Sequence, residues 1–133
     1  MDQLAKGMLA VWMNLPPALQ VDFDEWYNRE HIAERLSVPG FLSGCRYEAV
    51  EGGPRFMALY GTADSAVLRS DAYLHVVEHP TAWTQRVVST FRDSVRMVCD
   101  VLADRGNGTG GVVRSFRMVP ASGNRSPLRH SLQ

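Results

Sequence analysis

The chain has 133 residues, enough for one domain with a proper core and too few for a second complete one. Apolar residues make up 45%, charged residues 21%, and the formal net charge is zero, a balance that excludes a disordered polyelectrolyte and argues against a nucleic-acid partner. Apolar stretches such as Gly7 to Met13 fall far short of the ~20 residues a membrane span requires, and the opening Met1-Asp2-Gln3-Leu4-Ala5-Lys6 lacks the basic and then apolar regions of a secretory signal, so a soluble cytoplasmic protein is expected.

Lys6 to Leu15 is an apolar run ended by Pro16-Pro17, too short for an ordinary helix, and reads as strand 1. From Asp22 the apolar positions Phe23, Trp26, Tyr27, Ile32, Ala33 and Leu36 follow a helical period, with Asp22 or Asp24 available as N-cap. Pro39-Gly40 ends that helix, and Phe41 to Val50 and Arg55 to Thr62 form a hairpin through Glu51-Gly52-Gly53-Pro54. Ala63 to Ser70 predicts a short helical turn. Ala72 to Phe91 predicts a second helix that Pro80 interrupts and Thr81 restarts. Ser94 to Ala103 is strand 4.

The order is βαββαβ, an α+β ferredoxin-like sandwich over residues 1–105. Residues 106–133 open on the Gly-rich linker Gly106 to Gly111, continue into an extra strand at Val112 to Val119 and close on a polar tail from Ala121. Gly7 to Pro16 and Gly111 to Pro120 share a Gly-to-Pro frame with an aromatic inside, which a truncated second repeat or coincidence would each produce. In the repeat case the surplus strand would pair with a sheet edge of its own chain or of a partner.

The strands do not alternate apolar with polar as a half-solvated antiparallel sheet should. Strand 1 sets Met8, Ala10 and Trp12 against Leu9, Val11 and Met13, and strand 3 sets Met57 and Leu59 against Phe56, Ala58 and Tyr60. Two helices cover one face of such a sheet, so the other calls for a second sheet, most simply from an identical subunit. A homodimer with strands 1 and 3 central and the more polar strands 2 and 4 at the edges follows. On that layout Cys45 and Cys99 lie on opposite edges, beyond the ~7 Å a disulfide spans, and read as buried free thiols.

Helix 1 holds the candidate chemistry. At 100° per residue Glu30 falls among Phe23, Trp26, Tyr27 and Ala33 on the core stripe, where a carboxylate needs a counter-charge such as Arg46 or Arg96. His31 borders the stripe, and its ordinary pKa suits proton transfer, with a neighbouring carboxylate able to raise it. The competing reading makes both residues a clamp that fastens the helix.

Tyr27-x-x-Glu30-His31-x-x-x-Arg35-Leu36-x-x-Pro39-Gly40-Phe41, followed by Arg46-Tyr47 and Thr81-x-Trp83-Thr84, resembles the EthD-like group of the dimeric α/β-barrel superfamily over roughly residues 7 to 104. The resemblance implies a cavity between the helices and the concave sheet face. His31 matches the group's histidine after the acidic residue of helix 1. Superfamily branches include cofactor-independent monooxygenases, haem-degrading enzymes, muconolactone isomerases and polyketide cyclases, so the fold implies a pocket and leaves the reaction open.

The expectation is a small hydrophobic or aromatic ligand lined by Trp12, Tyr47, Tyr60, Met57 and Arg46, with His31 and Glu30 as acid/base candidates and no cofactor called for. A non-catalytic binding or assembly module is the alternative. His75-Val76-Val77-Glu78-His79 has the H-x-x-E-H order of inverted zinc peptidases, yet Pro80 pushes His79 out of helical geometry and no third ligand is evident, so no metal is expected. Haem ligation by His31, His75 or His79 rests on superfamily kinship alone.

Overall fold

A computed structural model describes residues 4–121. The chain divides into a unit over Met1–Asp100 and a second over Val101–Gln133, and the first carries every helix and strand among the described residues.

Strand β1 spans Gly7–Asn14, β2 Phe41–Glu48, β3 Phe56–Thr62 and β4 Arg92–Asp100. They form one antiparallel sheet in the order β2-β3-β1-β4, with the apolar strands central and the polar ones at the edges, as their charges require. Helix α1 covers residues 20–36 without a break. It begins as α-helix at Gln20–Trp26, opens into a π turn at Tyr27–His31 and closes as α-helix at Ile32–Leu36. A 3-10 turn, Ser65–Arg69, leads into α2, Asp71–Glu78, and α3, Ala82–Val88. Pro80 breaks the run between α2 and α3, and Thr81 caps α3 by accepting the Thr84 N–H at 3.0 Å. This is the βαββαβ sandwich expected from the sequence.

Helix α1 starts earlier than an aspartate cap predicts. Pro17 opens a 3-10 turn at Pro17–Leu19 that runs straight into the helix, and the two aspartates are spent elsewhere. Asp22 accepts from Trp83 Nε1 at 3.0 Å and from Arg86, fixing α1 to α3, while Asp24 faces Arg46 on β2.

Strand register sorts the sheet into two faces. Leu9, Val11 and Met13 lie opposite Tyr60, Ala58 and Phe56 on the face that α1 covers, with Gly44, Arg46 and Glu48 extending it onto β2. The core sits there, built on Phe23, Trp26, Tyr27, Phe56 and Tyr60. The other face consists of three rows of four across β2, β3, β1 and β4: Tyr47-Met57-Trp12-Val95, Cys45-Leu59-Ala10-Met97 and Ser43-Gly61-Met8-Cys99. None of these residues is charged, and among the described residues no helix lies over them.

Two expectations need correction. Val112 to Val119 forms no strand: a strand exists through its ladder, and within its own unit this segment has no second strand to pair with, leaving Val112 81% and Val119 92% exposed. The two Gly-to-Pro frames thus differ in structure. Cys45 and Cys99 are free thiols but not buried ones, since both project from the uncovered face, where Cys45 is exposed. The polar tail from Ala121 lies almost wholly outside the described residues.

Candidate functional site

The π turn decides what α1 presents to the sheet. The Ile32 N–H bonds back to the carbonyl of Tyr27, five residues earlier, so the turn holds one residue more than an α-helical turn. A wheel drawn at a constant 100° per residue fails from that point on. It places Glu30 in the core stripe, whereas the structure rotates His31 inward and leaves Glu30 half-exposed toward α3.

Glu30 therefore meets neither Arg46 nor Arg96. Its Oε2 accepts from Thr81 Oγ1 at 2.8 Å and from Thr84 Oγ1 at 3.2 Å. Thr84 Oγ1 in turn accepts from Trp26 Nε1 at 3.0 Å. The carboxylate is the centre of a clamp that holds the middle of α1 to the first turn of α3. Arg96 instead donates to Tyr73 Oη at 2.9 Å.

His31 is buried among rings. Its imidazole stacks on Trp26 at 4.2 Å between centroids, with Tyr27 edge-on at 5.1 Å and Tyr60 edge-on at 6.3 Å. Burial, reinforced by the Arg35 cation, pushes its pKa down from 6.5 to about 3. The expected upward push from a carboxylate is absent, because Glu30 points away. His31 is thus neutral at pH 7. Its Nδ1 is a buried polar atom without a hydrogen-bond partner among the described residues, while the Tyr60 hydroxyl interacts with that of Tyr27. Burial also raises the Tyr27 phenol to about 12 and lifts that of Tyr60 further.

A cleft of about 230 Å³ opens beside this cluster, between the first half of α1 and the ends of β2 and β3. Arg46, Asp24 and Glu48 belong to its mainly polar exposed surface, and the largely buried rings of Phe23, Tyr27 and Phe56 back it from the core. The Arg46 guanidinium lies 4.9 Å from the Tyr27 ring centre and 5.5 Å from that of Phe23, and it donates twice to Asp24 Oδ1 at 3.1 Å. At the rim Arg55 donates to Glu48 Oε1 and to Gln20 Oε1, both at 2.8 Å, while its guanidinium sits 5.0 Å from the Phe56 ring centre.

The residues named from sequence do not share one pocket. Arg46 lies in the cleft, with Tyr47 and Met57 on its margin. Tyr60 and His31 stand behind Tyr27 in the core. Trp12 lies on the uncovered face, in one row with Met57 and Tyr47. Sequence reasoning missed Phe23, Tyr27, Asp24, Phe56 and Glu48 as cleft residues. Their signal was present in the i, i+4 spacing of Phe23 and Tyr27 and in the alternation that puts Arg46 and Glu48 on one face of an edge strand.

No group of three or more His, Cys, Asp or Glu side chains among the described residues is arranged to hold a metal ion. No described helix is long and apolar enough to cross a membrane.

Neither a protein-family model nor a curated protein matches the sequence. Solved structures do share the fold. A dimeric ferredoxin-like protein from an uncultured marine organism superposes with a TM-score of 0.62 at 8% identity, covering 80% of this chain and 96% of its own. The heme degrader MhuD of Mycobacterium tuberculosis, with two hemes bound in its active site, gives 0.53 at 15% identity over 75% and 99% of the two chains. An ethyl tert-butyl ether D (EthD) family protein of Bacillus halodurans gives 0.50 at 15% identity over 71% and 98%. The chain therefore has the ferredoxin-like α+β fold, and a member of the group that its helix-1 motif resembles is among the structures that share it.

Proposed function

We propose that this protein binds a small apolar molecule with an aromatic or similarly flat ring and an oxygen-bearing polar group, in the cleft between α1 and the ends of β2 and β3, and that it does so as a homodimer. The cleft carries the reading: its exposed surface is mainly polar, and the guanidinium of Arg46, held by Asp24, lies over the largely buried rings of Phe23 and Tyr27. Its volume, about 230 Å³, lies just below the usual range for drug-sized ligands of about 300–1,000 Å³. That volume suits one or two fused rings. A ligand carboxylate or phenolic oxygen competes with Asp24 for the Arg46 donors, and a flat ring stacks on the guanidinium that covers Tyr27 and Phe23.

His31 stands behind the Tyr27 ring and is neutral at pH 7. In the catalytic form of this reading, acid–base or oxygenation chemistry without a cofactor, it acts through a hydrogen bond of its unpartnered Nδ1 rather than as a cation. MhuD holds hemes, but here the cleft is small and neither a histidine nor a cysteine lines it. Haem is not part of the reading. For Glu30 the structural alternative is favoured, because its carboxylate is engaged by Thr81 and Thr84. Trp12, Met57 and Tyr47 belong to the face that meets the second subunit, and the free thiols of Cys45 and Cys99 fit a reducing compartment such as the cytoplasm.

The test is a thermal-shift screen of the wild type, Arg46→Met and His31→Asn against phenols, quinones and ring lactones. A ring compound that raises the melting temperature of the wild type, and raises it less in Arg46→Met, supports the reading. It is overturned if no compound moves the wild type or if Arg46→Met responds equally.

A further inference from the structure

The two histidines that end α2 lie outside the cleft and its clamp. His75 and His79 are both exposed, on the same side of the helix end. Helix α2 stops at Glu78, and His79 leaves helical geometry at φ −124° and ψ 61°, as Pro80 after it demands. That break was the sequence argument against a shared site, and the structure reverses it. The chain turns so that the imidazole of His79 folds back along the last turn, bringing the two ring centroids to 4.3 Å at an interplanar angle of 31°.

A hydrogen bond fixes this arrangement. His79 Nδ1 lies 2.8 Å from the backbone oxygen of His75. A carbonyl only accepts, so Nδ1 carries the proton and Nε2 of His79 keeps its lone pair for another partner. An imidazole that donates one nitrogen to a backbone carbonyl and offers the other is the usual state of a metal-ligating histidine, whose orientation is set by that outer bond. Glu78, three residues after His75, adds negative charge on the same side of the helix.

We infer that His75 and His79 form a two-histidine surface chelate for a borderline divalent transition-metal ion, Cu²⁺, Ni²⁺ or Zn²⁺, with water filling the remaining positions. Imidazole pairs suit these ions, whereas Mg²⁺ and Ca²⁺ prefer oxygen donors. The site lacks the third protein ligand and the enclosed cavity of a catalytic zinc centre, so it is a binding site separate from the cleft.

The experiment is calorimetric titration of the tag-free full chain with CuCl₂, NiCl₂ and ZnCl₂, repeated on His75→Ala, His79→Ala and the double variant. One ion per wild-type chain is expected, weakened about tenfold or more by either substitution and lost in the double variant, while His31→Asn leaves it unchanged. In the wild type, ZnCl₂ should shift the imidazole ¹⁵N resonances of His75 and His79 and spare those of His31, a readout independent of how the variants fold. Undiminished binding by the double variant, or imidazole resonances of His75 and His79 that ZnCl₂ does not move, overturns the proposal.

Discussion

His31 stacks on Trp26, five residues earlier in the same helix, with ring centroids 4.2 Å apart and planes 21° apart. Residues five apart diverge around a regular α-helix, where three and four are the neighbouring spacings. The π turn over Tyr27–His31 brings them together. The stack therefore ties a backbone irregularity to the burial of a titratable ring.

That burial sets a pH dependence. His31 titrates near 6.5 when unfolded and near 3 in the fold, so between those values the unfolded chain holds a proton that the folded chain does not. Its contribution is fully present above about pH 6.5 and is lost as pH falls toward 3, with a slope of up to about 1.4 kcal/mol per pH unit. Asp22, whose pKa is lowered from 3.8 by Arg86, loses its contribution only at lower pH, and Glu34, raised from 4.5, acts in the opposite sense. Urea unfolding of wild type and His31→Asn at pH 7, 6, 5 and 4 separates these groups. The variant should show a flatter profile, and parallel profiles would remove His31 as the source.

Removing the Glu30 clamp should cost stability without touching the cleft. Glu30→Ala leaves the hydroxyls of Thr81 and Thr84 without their shared acceptor and should lower unfolding free energy by about 1–3 kcal/mol. Glu30→Gln keeps an acceptor oxygen and should cost less. If Glu30→Ala keeps wild-type stability yet abolishes ligand binding, the carboxylate is a site residue after all.

What the sequence made legible followed from period and punctuation. Pro39-Gly40, Pro80 and the alternation of Met8 to Met13 placed the boundaries, the central strands and the uncharged second face, because each acts through local geometry. The π turn has no such mark: Tyr27 to His31 contains neither proline nor glycine. The error over Glu30 has that origin, whereas Phe23 and Tyr27 precede the extra residue and were legible from their i, i+4 spacing. Val112 to Val119 forms no strand within the single chain, since strand-like composition does not by itself supply a partner strand.

Gly44 is needed where β2 passes Tyr60. The two residues pair directly across the ladder, and a Cβ on Gly44 would lie 3.1 Å from Cδ1 of the Tyr60 ring and 3.5 Å from Ile32 Cγ2. Tyr60 is only 1% exposed and has no free volume into which to retreat. Gly44→Ala should therefore destabilise by about 1–3 kcal/mol through overpacking. It should also disturb the Tyr60 and His31 rings, visible as shifted aromatic resonances. A variant as stable as the wild type with an unchanged spectrum would show that β2 can yield at this point.

The uncovered face gives the last prediction. Tyr47, Met57, Trp12 and Val95 form an uninterrupted uncharged row across all four strands, with Leu59, Ala10 and Met97 beside it. A sheet face of this composition is stable in water only if something covers it, and a second copy of the same face supplies an apolar match through a two-fold axis. Trp12→Glu places one charge on each side of that axis, and burying two like charges without partners costs more than a dimer of ordinary affinity can absorb. Light scattering after size exclusion should give a dimer for the wild type and a monomer for Trp12→Glu, with the helix-covered core and its far-ultraviolet signal retained. A monomeric wild type would mean that the row is covered by something other than a second copy. A dimeric Trp12→Glu would place the dimer contact elsewhere on the chain.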